Sequence, residues 1–170
     1  MLGATGGVGS LAVQIARDRG AQVIGTGGAA SEEFARSLGV NEFIAYDRSD
    51  VVEAVKNAHP EGVDAVLDLV NDADAIKNVA TAMHAESRIV STIGSADVDW
   101  FAQRKIVAQN LRVFEAPQFS HAGLRTLLEL LEHERIRVVI AGERPLSEAL
   151  AAVEASRGGR VNGKLVITVE

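Results

Sequence analysis

The sequence predicts a doubly wound α/β fold, a parallel sheet with helices on both faces. Three observations carry that expectation. Apolar, strand-like segments alternate with helical patterns from one end of the 170 residues to the other. The strand segments are apolar on both faces, as strands covered by helices on two sides must be. A glycine-rich turn opens the first helix. Right-handed crossovers between parallel strands then give the doubly wound arrangement.

The elements follow in order. Leu11, Val13 and Ile15-Ala16 mark a helix ending near Gly20. Gln22 to Thr26 is rich in β-branched residues and reads as a strand closed by Gly27-Gly28. Ser31 is the expected N-cap of a short helix with Glu32-Glu33 in its first turn and Gly39 after its last. Glu42 to Tyr46 is the next strand. Ser49 opens a helix through Val51, Val52 and Val55 that stops before Pro60. Val63 to Val70 is an apolar strand carrying two aspartates, and Asp72 to Met83 reads as helix. Arg88 to Ile93 is a strand closed by Gly94. Trp100 to Ala108 reads as helix and Leu111 to Glu115 as strand before Pro117. Leu124, Leu127, Leu128 and Leu131 form a helical stripe expected to face the core, with Glu129, Glu132 and Glu134 on its wet side. Arg137 to Ile140 is a short strand. A helix runs from Pro145 through Leu150 and Val153 to Gly158-Gly159, and Lys164 to Val169 closes the chain as a strand.

Composition narrows the function classes. Seventeen Lys and Arg stand against 23 Asp and Glu, a net charge of −6. That balance argues against a broad nucleic-acid surface. With no cysteine there is no disulfide framework, thiolate metal site or cysteine nucleophile. No apolar run approaches the roughly 20 residues that span a bilayer, and Met1-Leu2-Gly3 has no signal-like character. The expectation is a cytoplasmic protein with no nucleic-acid or membrane partner. His59, His84, His121 and His133 show no zinc-site spacing and read as solvated surface residues, so neither a metal site nor a catalytic residue is assigned.

The strongest motif is Met1-Leu2-Gly3-Ala4-Thr5-Gly6-Gly7-Val8-Gly9-Ser10, and the chain begins almost on top of it. Ala4, Gly6 and Gly9 hold the three positions of a G-x-G-x-x-G/A fingerprint. Gly6 lets backbone N–H groups approach a pyrophosphate, and Gly9 lets the helix pack closely on the first strand. The helix N-terminus supplies donors and partial positive charge. Thr5, Gly7 and Val8 complete the loop. This points to a Rossmann-like dinucleotide site. A phosphate-binding P-loop needs Lys where Gly9 stands. A typical short-chain dehydrogenase needs Tyr with Lys four residues on, and the lone tyrosine, Tyr46, is followed there by Asp50. The Gly-Ala-Thr-Gly-x-x-Gly spelling leaves an atypical short-chain reductase as an alternative.

For NAD an acid is expected about 20 residues after the fingerprint, at the end of the second strand. Thr26-Gly27-Gly28-Ala29-Ala30 holds that place, and no carboxylate appears before Glu32. NADP(H) is therefore favoured over NAD(H), with Arg36 and Arg48 as candidate partners for a 2′-phosphate.

Leu2 to Gly9, Val13 to Arg17 and Gly20 to Thr26 resemble the medium-chain dehydrogenase/reductase superfamily, most of all its zinc-free quinone oxidoreductase group. Leu38-Gly39-Val40 with Ile44-Ala45-Tyr46, Gly62 to Asp68, Arg88 to Gly94 and Gly163 to Ile167 match further family elements in order. After Asp68 this chain has Leu69-Val70-Asn71 where the family has a small residue, Val and Gly. The resemblance implies that Tyr46 lies near the adenosine 2′-phosphate and that Ile93-Gly94-Ser95 lie by the nicotinamide. It also implies an NADPH-dependent reductase moving hydride to a quinone or enone. A non-catalytic NADP(H)-binding module is the alternative.

The family implies more. Residues 1–160 would be the dinucleotide-binding domain, and 161–170 a strand belonging to a catalytic domain carried by residues ahead of Met1. An excised domain, a truncated gene or a mis-called start is the expectation, with a small-molecule substrate engaged only where the catalytic domain is supplied. The strand Leu111 to Glu115 would be the edge through which relatives form a homodimer.

Overall fold

The computed structural model describes residues 1–111, 121–159 and 161–169. The sheet is parallel, and its parts join through the first residues of the chain. β1 (Ile24–Gly27) pairs with β2 (Glu42–Ala45), and β3 (Val63–Asp68), β4 (Met83–Ser91) and β5 (Val107–Asn110) form the other half. Met1 to Ala4 lie between them. Thr26 N–H donates to Met1 O at 3.0 Å and Ala4 N–H to Thr26 O at 2.9 Å, while Leu2 N–H donates to Leu67 O at 2.9 Å. Leu2 also forms a parallel bridge with Asp68. The order is therefore β2, β1, the Met1–Ala4 lane, β3, β4, β5. Chain direction across the sheet reverses at that lane, which makes it the switch point of a doubly wound sheet.

The helices cover this sheet. α1 (Gly9–Asp18) and α2 (Glu32–Leu38) pack with β1 around Val13, Val23, Ala35, Leu38 and Val40. α3 (Val51–Ala58), α4 (Ala73–Val79) and α5 (Val98–Ala102) enclose a second cluster with Ile76, Ile89 and Phe101 at its centre. Burying each large apolar side chain stabilises by about 1.5–3 kcal/mol. Among the described residues no helix is long and apolar enough to cross a membrane.

Local chemistry sets the boundaries. Asp50, Asp72 and Asp97 cap α3, α4 and α5, each accepting from a first-turn backbone N–H. The cap of α3 is Asp50 rather than the expected Ser49. Ser31 makes no cap; its hydroxyl donates to Asn162 Oδ1 at 2.9 Å. Gly39 ends α2 with φ 103°, the left-handed conformation that glycine adopts freely.

Three expected elements shift. The helix from Asp72 ends at Val79, and Met83 already belongs to β4. The helix expected from Trp100 to Ala108 ends at Ala102. Lys105 then takes a positive φ, and Val107–Asn110 pair with Arg88–Ser91. An open lane beside β4 outweighs the local helical pattern there. Residues 112–115 of the expected edge strand lie outside the described residues. The strand expected at Arg137 to Ile140 instead runs Ile140–Pro145 as β6, paired in a separate two-stranded sheet with β7 (Lys164–Thr168).

α6 (His121–Glu132) has no buried residue, and Leu124, Leu127 and Leu128 are exposed. The leucine stripe is thus not core. α7 (Ala149–Arg157) likewise exposes Leu150 and Val153.

A hollow of about 800 Å³ opens at the N-terminal ends of β1 and β3, lined by Met1, Ile24, Val52, Val63 and Ala65 among others. It continues the Met1–Leu2 lane, so Ala65 is exposed in mid-sheet. The Met1 ammonium donates to Ile24 O at 2.6 Å, and burial lowers its pKa to about 6. None of Gly3 to Gly9 lines this hollow, which lies at the sheet edge opposite the glycine loop.

Candidate functional site

The glycine loop runs from the C-terminal end of the central lane into α1. Gly3 takes φ 82°, and its N–H donates to the Thr26 hydroxyl at 3.2 Å. Gly6 N–H donates to Gly3 O at 3.4 Å, and Ser10 N–H to Gly6 O at 2.9 Å. The N–H groups of Gly7, Val8 and Gly9 have no acceptor among the described residues. They lead into the ten-residue α1, with Val8 exposed, Gly7 half-buried and Gly9 buried, and suit an anion.

The glycines differ in what they permit. A Cβ on Gly9 would overlap the Gly3 carbonyl oxygen and stand 2.8 Å from the Ala4 carbonyl carbon. Gly9 is thus needed for helix-on-strand packing. A Cβ on Gly6 would meet only Gly3 O, at 3.7 Å, so the space above Gly6 is open. On Gly7 a Cβ would lie 2.8 Å from Lys164 Cδ and 2.9 Å from its Nζ. The Lys164 side chain therefore lies across the loop. Gly163 N–H donates to Thr5 O at 3.0 Å and fixes the start of β7 beside it. Lys164 was absent from the expected site because only the fold carries residue 164 back to residue 7; the Gly163-Lys164 pair was its sole trace in the sequence.

At the end of β1, Gly25 and Gly27 keep the lanes close. Side chains there would press on Ala4 and Val40, or on Thr5 and Phe43. Thr26 is buried between the lanes. Tyr46 N–H donates to Gly27 O at 3.1 Å, and the exposed Tyr46 hydroxyl lies 3.5 Å from where a Gly28 Cβ would be. Ala4 to Gly9, Thr26, Gly27 and Tyr46 thus gather at one sheet edge.

On the other side of the switch point the Gly3 loop meets Val70, whose Cγ1 stands 2.7 Å from a Cβ built on Gly3. Asp68 is fully buried there. Its Oδ1 accepts from Asn71 N–H at 3.2 Å and Asn71 Nδ2 at 2.8 Å, and its Oδ2 from the Ser95 hydroxyl at 3.4 Å. Burial raises the Asp68 pKa, against the Asn71 and Val70 N–H donors and the Ser95 hydroxyl. Ser91 Oγ lies 2.9 Å from Ser95 Oγ and accepts from the Ser95 N–H at 3.2 Å. Asn110 clamps the same loop, its Oδ1 accepting from Ala96 N–H at 3.0 Å and its Nδ2 donating to Ala96 O at 2.8 Å. Ser95 is thereby held. Gly94 has φ 81° with nothing within 4 Å of a Cβ position, and Ile93 is exposed. Of this Asp68–Asn71–Ser91–Ser95 network the sequence points only to Ser95; Asp68, Asn71 and Ser91 join it through the fold. Asn71 completes it where the family pattern has a glycine.

The histidines contribute no site. His59 Nε2 lies 2.9 Å from Glu42 and His84 Nε2 3.1 Å from Asp64, so these two are paired with carboxylates rather than simply solvated. The Ala85 carbonyl and Asp64 raise the pKa of His84. No group of three His, Cys, Asp or Glu is placed to hold a metal among the described residues.

A glycine loop with unpaired helix N–H groups, set at the switch point of a parallel sheet, defines a Rossmann-type dinucleotide-binding domain. Residues 7–133 match the zinc-binding dehydrogenase family, and the chain belongs to it, as a nucleotide-binding domain of the medium-chain dehydrogenase/reductase superfamily. The zinc of that family description finds no donor set among the described residues. The chain is 27% identical over 166 residues to a chloroplast envelope quinone oxidoreductase homolog of Arabidopsis thaliana, covering 96% of this chain and 50% of that protein. The quinone oxidoreductase structure of Coxiella burnetii superposes with a TM-score of 0.86 at 31% identity, over 99% of this chain and 51% of that one. The Escherichia coli quinone oxidoreductase complexed with NADPH shares the fold, with a TM-score of 0.85 at 23% identity over 99% of this chain and 56% of that one. This chain thus spans about half the length of these relatives.

Proposed function

We propose that the chain is the cofactor-holding part of an oxidoreductase that passes hydride between a nicotinamide dinucleotide and a small quinone- or enone-type substrate. One observation carries this reading: the unpaired N–H groups of Gly7, Val8 and Gly9, with Lys164 lying across Gly7. Donors and a cation converge on a space that the glycines keep empty, which suits a pyrophosphate. The bound nicotinamide would supply the hydride. The chain's own residues would bind and orient it. Gly6 admits the pyrophosphate, Thr26 and Gly27 bound the adenosine side, and Ile93-Gly94-Ser95, with Ile93 and Gly94 exposed, border the nicotinamide ring.

The quinone or enone class is supported by the kinship to quinone oxidoreductases. Residues 1–160 would form the dinucleotide-binding domain, and 161–170 a strand that belongs to the catalytic domain in full-length relatives. The isolated chain is expected to bind cofactor without turning a quinone over. NADP(H), favoured by the missing acid after β1, turns on the charges around Gly28. A homodimer would form through the edge strand near Leu111–Glu115, and sedimentation tests it.

Titration of the chain with NADH and with NADPH, followed by nicotinamide fluorescence, tests the central reading. Saturable binding of at least one is expected. Binding of neither at millimolar concentration would overturn it.

A further inference from the structure

We propose that Asp47, carried by the turn after β2, reads the adenosine ribose, so that the site takes NAD(H) in preference to NADP(H). This rests on the dinucleotide reading above and reverses the preference drawn from the sequence.

In a site of this topology the ribose lies over the end of β1, and an acid there accepts its hydroxyls. Gly28 to Ser31, which follow β1 directly, supply none. The fold supplies one from the neighbouring strand. Asp47 Oδ1 accepts from Ala29 N–H at 3.0 Å, and its Oδ2 stands 4.0 Å from the position of a Gly28 Cβ. The carboxylate is therefore anchored by one oxygen at the tip of β1 while the other faces the gap that Gly28 leaves. The Tyr46 hydroxyl borders the same gap at 3.5 Å. A carboxylate oxygen and a phenol suit a ribose diol.

The surrounding charges oppose a phosphate on that ribose. Glu32 and Glu33 follow in the first turn of α2. Arg36 is committed elsewhere: its Nε and Nη2 donate to Glu32 Oε1 at 3.1 and 2.8 Å, and its Nη1 to Asn41 O at 3.4 Å. The Ser31 hydroxyl already donates to Asn162. Arg48 is exposed and makes no side-chain hydrogen bond or ion pair among the described residues, so it is the one rival. A 2′-phosphate of nearly two negative charges would sit against Asp47, with no cation held in place to offset it among the described residues.

The test is fluorescence titration of wild type, Asp47→Asn and Arg48→Ala with NADH and NADPH at low and physiological salt. Asparagine keeps an oxygen for Ala29 N–H, so the turn is retained; far-UV circular dichroism and Tm check this. Wild type is expected to bind NADH about tenfold tighter than NADPH, less so at high salt. Asp47→Asn should shift that ratio by about tenfold toward NADPH, while Arg48→Ala leaves it unchanged. NADPH binding as tightly as NADH to wild type would overturn the proposal, as would an unshifted ratio in Asp47→Asn or NADPH binding lost only in Arg48→Ala. In those cases the dinucleotide reading stands. Binding of neither cofactor removes both.

Discussion

Gln14 holds the backbone of Arg137 at both its N–H and its C=O. The buried Gln14 amide accepts from Arg137 N–H at 2.9 Å through Oε1, and through Nε2 donates to Arg137 O at 3.0 Å and Ser10 O at 2.7 Å. One side chain thus ties the segment leading to β6 onto the helix that the glycine loop opens. Each buried group left without a partner costs about 1–3 kcal/mol. Gln14→Leu is therefore expected to destabilise the chain by about 2–4 kcal/mol. A denaturant midpoint within error of wild type would refute this clasp.

Gly6 and Gly9 should fail in different ways. Gly9→Val forces a side chain into the Gly3 and Ala4 backbone and should cost about 3 kcal/mol or more, read as lost helicity or a collapsed Tm. Gly6→Val meets open space and should fold normally, yet obstruct the pyrophosphate and lower cofactor affinity by about a hundredfold or more. Normal cofactor binding by Gly6→Val would displace the site from this loop.

Lys164 lies across Gly7 but is exposed. Lys164→Gln should leave stability unchanged within about 0.5 kcal/mol. It should weaken dinucleotide binding by about tenfold, as expected for the loss of one charge-assisted phosphate contact. The salt dependence of binding should also become shallower. An unchanged affinity would show that Lys164 does not reach the phosphates.

Burial raises the Asp68 pKa above its ordinary value, so the folded state prefers the protonated carboxyl. Between the unfolded and folded pKa the folded chain holds more protons than the unfolded one, and stability falls as pH rises through that window. Asp68→Asn retains an acceptor for Asn71 without the charge. Its stability relative to wild type should rise with pH across the carboxylate range and level off above it. Parallel Tm curves for the two proteins from pH 3 to 7 would contradict this.

Much of the fold could be read directly from sequence periodicity. The strand–helix alternation, the parallel sheet and the glycine loop depend on local patterns that recur every two or 3.6 residues, and residues 4 to 9 lie together in chain and space alike. Val107–Asn110 did not follow its local helical pattern, because pairing with β4 outweighed propensity. The α6 leucines misled for the opposite reason: their spacing fits a buried face, yet nothing among the described residues buries them.

Charge and ligation around the loop belong to the tertiary structure. Asp47 comes to Ala29 across 18 residues, and Lys164 returns to Gly7 from the far end of the chain. Spacing along the chain could show that no acid lies between β1 and Glu32; only the parallel register of β1 and β2 decided that one arrives from the side. Backbone pattern is a short-range property that sequence carries directly. The electrostatics of a site depend on distances through space, and these exist only once the sheet has formed.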